Sequence, residues 1–200
     1  MCEGAGVSVA AIVLAAGRAT RMGSQKVLLE LGDRSLVQRV VDAALGSRAA
    51  RTIVVVGHEA GPVTDQLTGR PVTVVVNLEY AAGMSTSLQA GVRAAGACDA
   101  AVILLGDQPF VTPALLDQLI ERFAETGKAV VRPLVGGRPA NPVLLSAALF
   151  REILEQRGDV GGREIVERHP DEVCLVPLDD PVVVVDIDSP QDYDAARESM

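Results

Sequence analysis

Short apolar runs alternate with segments of helical spacing along most of the chain. VAAIVLA (9–15) reads as a strand, and SLVQRVVDAALG (35–46) as a helix with Ser35 as N-cap and Gly46 as its stop. RTIVVVG (51–57) predicts a second strand, followed by a short helix near 60–67. PVTVVVN (71–77) predicts a third, followed by a helix over roughly 85–95. DAAVILLGD (99–107) is nearly all apolar, which predicts a fourth strand at the centre of a sheet. TPALLDQLIERFAETG (112–127) predicts a strong helix: Thr112 caps it, Pro113 sits in the first turn and Gly127 ends it. This repeated strand–helix order predicts βαβ units, hence an α/β fold with a doubly wound, mostly parallel sheet.

The rhythm changes after Gly127. In AVVRPLVGGRPANPVLLS (129–146), Gly136-Gly137 separates two short apolar runs and predicts a β-hairpin insertion. A helix over about 147–156 follows, then GDVGGREIVERH, then VCLVPL and PVVVVDID as late strands. SPQDYDAARE predicts a closing helix, with Ser189 capping and Pro190 in its first turn. No linker, repeat or low-complexity tract interrupts the chain, so residues 1–200 are expected to form a single domain.

Composition narrows the possibilities. Hydrophobic residues make up 48% of the 200 and aromatic residues only 2%, so a base stacked between rings is not expected. The net charge of -8 argues against a nucleic-acid partner, whose binding relies on basic patches. Cys2, Cys98 and Cys174 are odd in number and widely separated, which suggests reduced thiols rather than a disulfide framework or zinc site. The apolar stretch at the N-terminus follows MCEGAG, which lacks the basic residues of a secretory signal, and no apolar run is long enough to span a bilayer. A cytoplasmic protein without a membrane partner is the expectation.

Against this acidic background LAAGRATRMGSQK (14–26) carries Arg18, Arg21 and Lys26 with no acid among them. Its spacing fits neither a Walker A loop nor G-x-G-x-x-G. What remains is a glycine turn whose amides can approach a ligand, with cations able to wrap a polyphosphate. In open α/β sheets ligands bind beyond the carboxyl ends of the strands. Three other features fall at such ends: Asn77 with GMSTS (83–87), GDQP (106–109), and the DID of 186–188. Asp186 and Asp188 alternate along a predicted strand and so should share a face. With Asp107 they would form an oxygen-rich site suited to Mg²⁺, which favours one or two carboxylates plus substrate phosphates.

Taken together, LAAGRATRMGSQK, NLEYAAGMSTSLQAG, LLGDQP, GDVGGR and DIDSPQDY resemble, in order, the motifs of MobA-like nucleotidyltransferases. The pattern is most similar to the molybdenum cofactor cytidylyltransferases. Ala19 stands where that family usually has Ser, with Thr20 one place later, and RPANPVLLS replaces the usual RGHPV-like segment. The resemblance implies a Rossmann-like fold of the nucleotide-diphospho-sugar transferase type. It implies that the amides of Leu14, Ala15, Ala16 and Gly17 line the nucleotide site, and that Arg21 and Lys26 hold the triphosphate. Gly83, Met84, Ser85 and Ser87 would sit against the base, Asp107 and Asp188 would bind Mg²⁺ with Asp186 as a further candidate, and Gly158, Asp159 and Arg163 would belong to the acceptor side.

The implied reaction transfers CMP from CTP to the phosphate of molybdopterin and releases pyrophosphate, with Arg21, Lys26 and Asp107 as its catalytic residues. GTP with the same acceptor, or a sugar phosphate as acceptor, keeps the reaction class. A non-catalytic carrier of the cofactor, delivering it to a client molybdoenzyme or its maturation factor, is the reading from another class. His58 and His169 are expected to be bystanders.

Overall fold

A computed structural model of the chain describes residues 6–17, 25–156 and 162–198. Its strands are β1 (Val9–Ala15), β2 (Glu30–Leu31), β3 (Arg34–Ser35), β4 (Arg51–Val56), β5 (Thr73–Val76), β6 (Ala100–Leu105), β7 (Val130–Val135), β8 (Arg138–Pro139), β9 (Val143–Ser146) and β10 (Val173–Leu178). The helices are α1 (Leu36–Leu45), α2 (Ala60–Asp65), α3 (Met84–Ala95), α4 (Pro113–Thr126), α5 (Phe150–Glu155), α6 (Arg163–Arg168) and α7 (Pro190–Glu198).

The main sheet runs in the order β10-β7-β9-β6-β1-β4-β5, with β8 paired to β7. β1 pairs parallel with both β4 and β6, β4 with β5, and β10 with β7, while β9 is antiparallel to β6 and β7. The sheet is thus mostly parallel, with one reversed strand set inside it. The turn at Gly136-Gly137 does reverse β7 into β8, and both glycines take the positive φ (54° and 77°) that a tight hairpin needs. β9 then inserts between β6 and β7, so the hairpin segment is built into the main sheet.

Each face of the sheet has its own core. On one, Val37, Val40 and Val41 of α1 and Leu115, Leu116 and Leu119 of α4 cover Val13, Val54 and Leu104. On the other, Leu88 and Val92 of α3, Ile153 of α5 and Ile165 of α6 cover Ile12, Ile53 and Ile103. This two-sided burial is why the central strands carry continuous apolar runs. The caps fall as expected. Ser35 caps α1, its amide donating to Gln38 Oε1 at 3.0 Å in the manner of a capping box, and Thr112 accepts from the Leu115 amide while Gly127 ends α4 in the left-handed region.

One expected element is absent. VCLVPL forms β10, but PVVVVDID is not a strand. Val182–Val184 is a single 3₁₀ turn entered through Pro181, and Asp180 Oδ1 accepts the Val182 amide at 2.9 Å. The backbone groups of this run go to its own turn and to Asp107, whose carbonyl accepts the Ile187 amide at 3.0 Å. The chain therefore leaves the sheet edge and crosses back to the end of β6. Ile187 anchors the crossing by burying itself with Leu31, Leu36 and Ala196 of α7. Among the described residues no helix is long and apolar enough to cross a membrane.

Candidate active site

β1 and β6 lie side by side in register, with Leu14 opposite Leu105, so the loops that leave them start together. The Gly106 amide donates to the Leu14 carbonyl at 2.9 Å. A Cβ at Gly106 would stand 3.1 Å from that carbonyl and 3.2 Å from Val27, a crowding that glycine avoids where the two loops close up. Beyond these strand tips is a cavity of about 520 Å³. Leu14, Ala15, Ala16 and Gly17 form one wall, Gly83, Met84 and Ser87 another, and Lys26 and Asp107 stand at the same cavity.

The second wall is held by Asn77, at the end of β5. Its buried side-chain amide donates to Thr86 Oγ1 at 2.9 Å and Ser87 Oγ at 3.0 Å, and its Oδ1 accepts the Glu79 amide at 3.0 Å. One side chain thus ties the strand tip to the first turn of α3. Gly83 precedes that turn at φ +120°, a conformation L side chains rarely adopt.

Tyr80, not assigned a role from the sequence, also lines the cavity. The aromatic shortage argued against a base held between two rings, and a single ring is what the structure supplies. Gly57 sets its position: a Cβ there would come within 2.7 Å of the Tyr80 Cβ and 2.9 Å of the Ala16 Cβ. The His58 ring stands 5.9 Å from that of Tyr80, and its carbonyl accepts from the buried Gln25 side chain, a further lining residue that the sequence reading missed. His169 lies elsewhere, 2.7 Å from Glu152. Both lie inside motifs quoted above, Gln25 in LAAGRATRMGSQK and Tyr80 in NLEYAAGMSTSLQAG, but spacing alone did not single them out, because their placement depends on neighbours distant in sequence.

The charges converge on Lys26. Its Nζ is 2.6 Å from Asp107 Oδ2 and 2.7 Å from Asp188 Oδ1. Burial works against the charged ammonium, but the hydrogen bonds and charges of Asp107 and then Asp188 outweigh it and raise its pKa. Lys26 opens a 3₁₀ turn whose next residue, Val27, is buried and fixes the start of the side chain. Asp188 is free to reach it because the capping of α7 is done by Ser189 and Asp192, which exchange hydrogen bonds at 3.2 and 2.8 Å. The same Asp192 accepts the Asp188 amide.

Asp186 and Asp188 flank the buried Ile187, so the alternation expected of a strand survives without one. The carboxyl of Asp186 is pushed up to about 6, by burial first and then by the charge of Asp107. Gln108, itself buried, hydrogen-bonds Asp186 and donates to the Val184 carbonyl at 3.3 Å, binding the DID segment to GDQP.

These carboxylates suit a hard divalent cation. Asp107 Oδ1 is buried and accepts no hydrogen bond, while burial and then the charge of Asp107 make ionisation of Asp186 costly. Among the described residues no group of three or more His, Cys, Asp or Glu side chains is placed to hold a metal alone. An ion here would draw one or two ligands from the protein and the rest from phosphate and water, which is the habit of Mg²⁺.

The remaining expected site residues are distributed differently. Ser85 is buried and faces a separate depression beside Gln89 and Gln156, away from the wall that Ser87 lines. Arg21, Gly158 and Asp159 lie outside the described residues. Arg163 begins α6 at the edge of a second cavity, of about 610 Å³, that adjoins the first.

Comparison with known proteins bears on the family and the fold. The family described as the MobA-like NTP transferase domain matches residues 11–173. The bifunctional protein GlmU of Rhodospirillum rubrum is 37% identical over 137 residues, which are 67% of this chain but 30% of that protein, so the chain spans less than a third of that relative. The molybdenum cofactor cytidylyltransferase of Escherichia coli is 25% identical over 190 residues, 94% of each chain. The crystal structure of Rv0371c from Mycobacterium tuberculosis superposes with a TM-score of 0.85 at 27% identity, over 96% of this chain and 98% of that one. A second structure of Rv0371c, a complex with manganese, matches with a TM-score of 0.79 at 28% identity over 96% of this chain and 100% of that one.

Proposed function

The chain belongs to the family of MobA-like NTP transferase domains, and from that premise we propose that it transfers CMP from CTP to the phosphate of molybdopterin, with release of pyrophosphate. The observation that carries this reading is the meeting of Lys26, Asp107 and Asp188 beside a cavity walled by residues 14–17. The choice of acceptor is supported by the similarity to the Escherichia coli cytidylyltransferase along nearly the whole of both chains.

In this reading the triphosphate lies along Leu14, Ala15, Ala16 and Gly17, with Lys26 and, from its place in the motif, Arg21 on its oxygens. The base rests against Gly83, Met84 and Ser87, where the Tyr80 ring offers an apolar surface. Asp107 and Asp188, with Asp186 beside them, would hold Mg²⁺, whose charge would neutralise the phosphate oxygens; the manganese complex of Rv0371c supports a divalent ion in this fold. An oxygen of the acceptor phosphate attacks the α-phosphorus, the bond to the β-phosphate oxygen breaks, and that electron pair leaves with pyrophosphate. Lys26 stabilises the charge that builds on the leaving group. No protein nucleophile takes part, so alignment and charge neutralisation supply the acceleration.

Pyrophosphate release tests the proposal. The protein is incubated with each nucleoside triphosphate in turn, with Mg²⁺ and either molybdopterin or a sugar phosphate. Release with CTP and molybdopterin is the expected result. Release with GTP alone would reassign the base, and release only with a sugar phosphate would reassign the acceptor. Binding of molybdopterin without pyrophosphate from any nucleotide would make the protein a carrier.

A further inference from the structure

The second cavity shares Leu14, Met84 and Leu105 with the first, so a group held there can reach a nucleotide without crossing the sheet. Its lining contains a residue out of character with its position. Along β7, Val131 joins the core beneath α1 and α4, while Val130 joins the one beneath α3, α5 and α6. Arg132 follows Val130 by two residues and so takes that same face. A guanidinium occupies a place in the sheet where an aliphatic side chain would be expected.

Among the described residues that charge has no ion-pair partner. The Arg132 Nε donates to the Ala140 carbonyl at 3.1 Å, which orients the head group, and among the described residues no carboxylate pairs with it. Burial and then the charge of Arg163 both lower its pKa. A half-buried cation facing a second cation is costly, and Glu167, the carboxylate on this lining, is already taken by Arg163, so a further anion is what Arg132 lacks. Arg163 is a weaker anchor. Its side chain is 85% exposed, and its Nε is already 2.7 Å from Glu167 Oε1.

We propose that Arg132 anchors the anionic group of the acceptor, and that the second cavity takes a phosphate monoester whose uncharged body lies against Leu88, Ile103 and Val143. This rests on the nucleotidyl-transfer reading of the adjoining cavity. Arg132 binds the very group that attacks, bringing its oxygen alongside the α-phosphorus across the shared residues Leu14, Met84 and Leu105. Asn141, on the same lining, offers a donor and an acceptor to the acceptor's polar edge.

Two measurements decide it. With CTP saturating and molybdopterin varied, Arg132→Gln raises the acceptor KM by roughly 10- to 100-fold, the loss expected for a charge-assisted pair. The KM for CTP stays unchanged, and Arg132→Lys recovers part of the loss. Independently of turnover, ³¹P line broadening of inorganic phosphate by the wild-type full chain falls in Arg132→Gln and persists in Arg163→Gln. Thermal melts confirm that each variant is folded. An unchanged acceptor KM and line width in a folded Arg132→Gln protein, or transfer of both effects to Arg163→Gln, overturns the assignment. Absence of pyrophosphate from every nucleotide, with Arg132-dependent phosphate broadening intact, would sink the transferase reading and leave the anion site standing.

Discussion

Lys26 and Asp107, distant in sequence, meet at 2.6 Å because their loops leave adjacent strands that run in register to Leu14 and Leu105. The sheet supplies this geometry. Parallel neighbours deliver their following loops to the same edge, and there a cation and a carboxylate neutralise one another while both face the cavity.

Lys26→Ala should lower turnover by about 10²- to 10³-fold, the usual cost of removing one electrostatic donor from a phosphoryl or acyl transfer site. Steady-state pyrophosphate release measures this. Unchanged turnover would remove Lys26 from the mechanism and leave it a structural partner of Asp107 and Asp188.

Asp107→Ala should abolish turnover while the melting temperature holds or rises. The change removes a partly buried carboxylate with an unsatisfied oxygen and relieves its repulsion of Asp186, which offsets the lost pair with Lys26 (Asp188 still holds that ammonium). The backbone carbonyl that accepts the Ile187 amide remains. Calorimetry alongside the assay separates loss of chemistry from loss of fold; a large fall in melting temperature would reveal a structural role instead.

Asn77→Ala should raise the KM for the nucleotide. It unties β5 from the first turn of α3 and leaves the buried Ser87 hydroxyl without its donor. The expected stability cost is about 1–3 kcal/mol for a buried hydrogen-bonding group stripped of its partner. Equal KM values in a folded variant would mean that the α3 wall holds its place unaided.

Gly91→Ala tests the packing of α3 on the sheet. Alanine favours helix by about 1 kcal/mol over glycine, yet a Cβ at Gly91 would collide with Ile12 Cγ2 and lie 3.2 Å from Val55 Cγ2. Both are β-branched side chains in the fully buried centre of the sheet and cannot swing aside. Overpacking of this kind costs about 1–3 kcal/mol, so net destabilisation is expected, and a raised melting temperature would contradict it.

Asp42 provides a pH-dependent stability test away from the site. It accepts from Arg70 Nε at 2.7 Å and also pairs with Arg34. Burial opposes its charge, but the hydrogen bond and charge of Arg70, followed by those of Arg34, lower its pKa below the ordinary carboxylate value. A lowered pKa contributes stability that is present above the unfolded value, about 4, and is lost as pH falls through the folded value. Asp42→Asn should therefore cost about 1 kcal/mol at pH 7, and the gap between the two proteins should close below about pH 4. Denaturant melts across that range measure it; a gap independent of pH would show that charge is not its source.

The element order of this fold was legible in the sequence because hydrophobic period and cap chemistry are local. VAAIVLA and DAAVILLGD can be buried only as central strands, and Ser35, Thr112 and Gly127 mark their helix ends through contacts a few residues away. Once a parallel sheet is implied, its strand tips must share an edge, which is how Lys26 and Asp107 could be grouped without coordinates; Asp188 was placed with them by way of a strand that the fold does not contain. The run PVVVVDID misled for the same reason. Its composition favours a strand, but its backbone hydrogen bonds go to a 3₁₀ turn and to Asp107. Tyr80 on the cavity wall, Ser85 turned away from it, and Arg132 held by a backbone carbonyl, with no ion pair among the described residues, where Arg163 is paired with Glu167 were decided by tertiary structure alone. Periodicity tells a side chain which face to take; what it meets there depends on strand order and on the elements that pack across it, and these come from contacts distant in the chain.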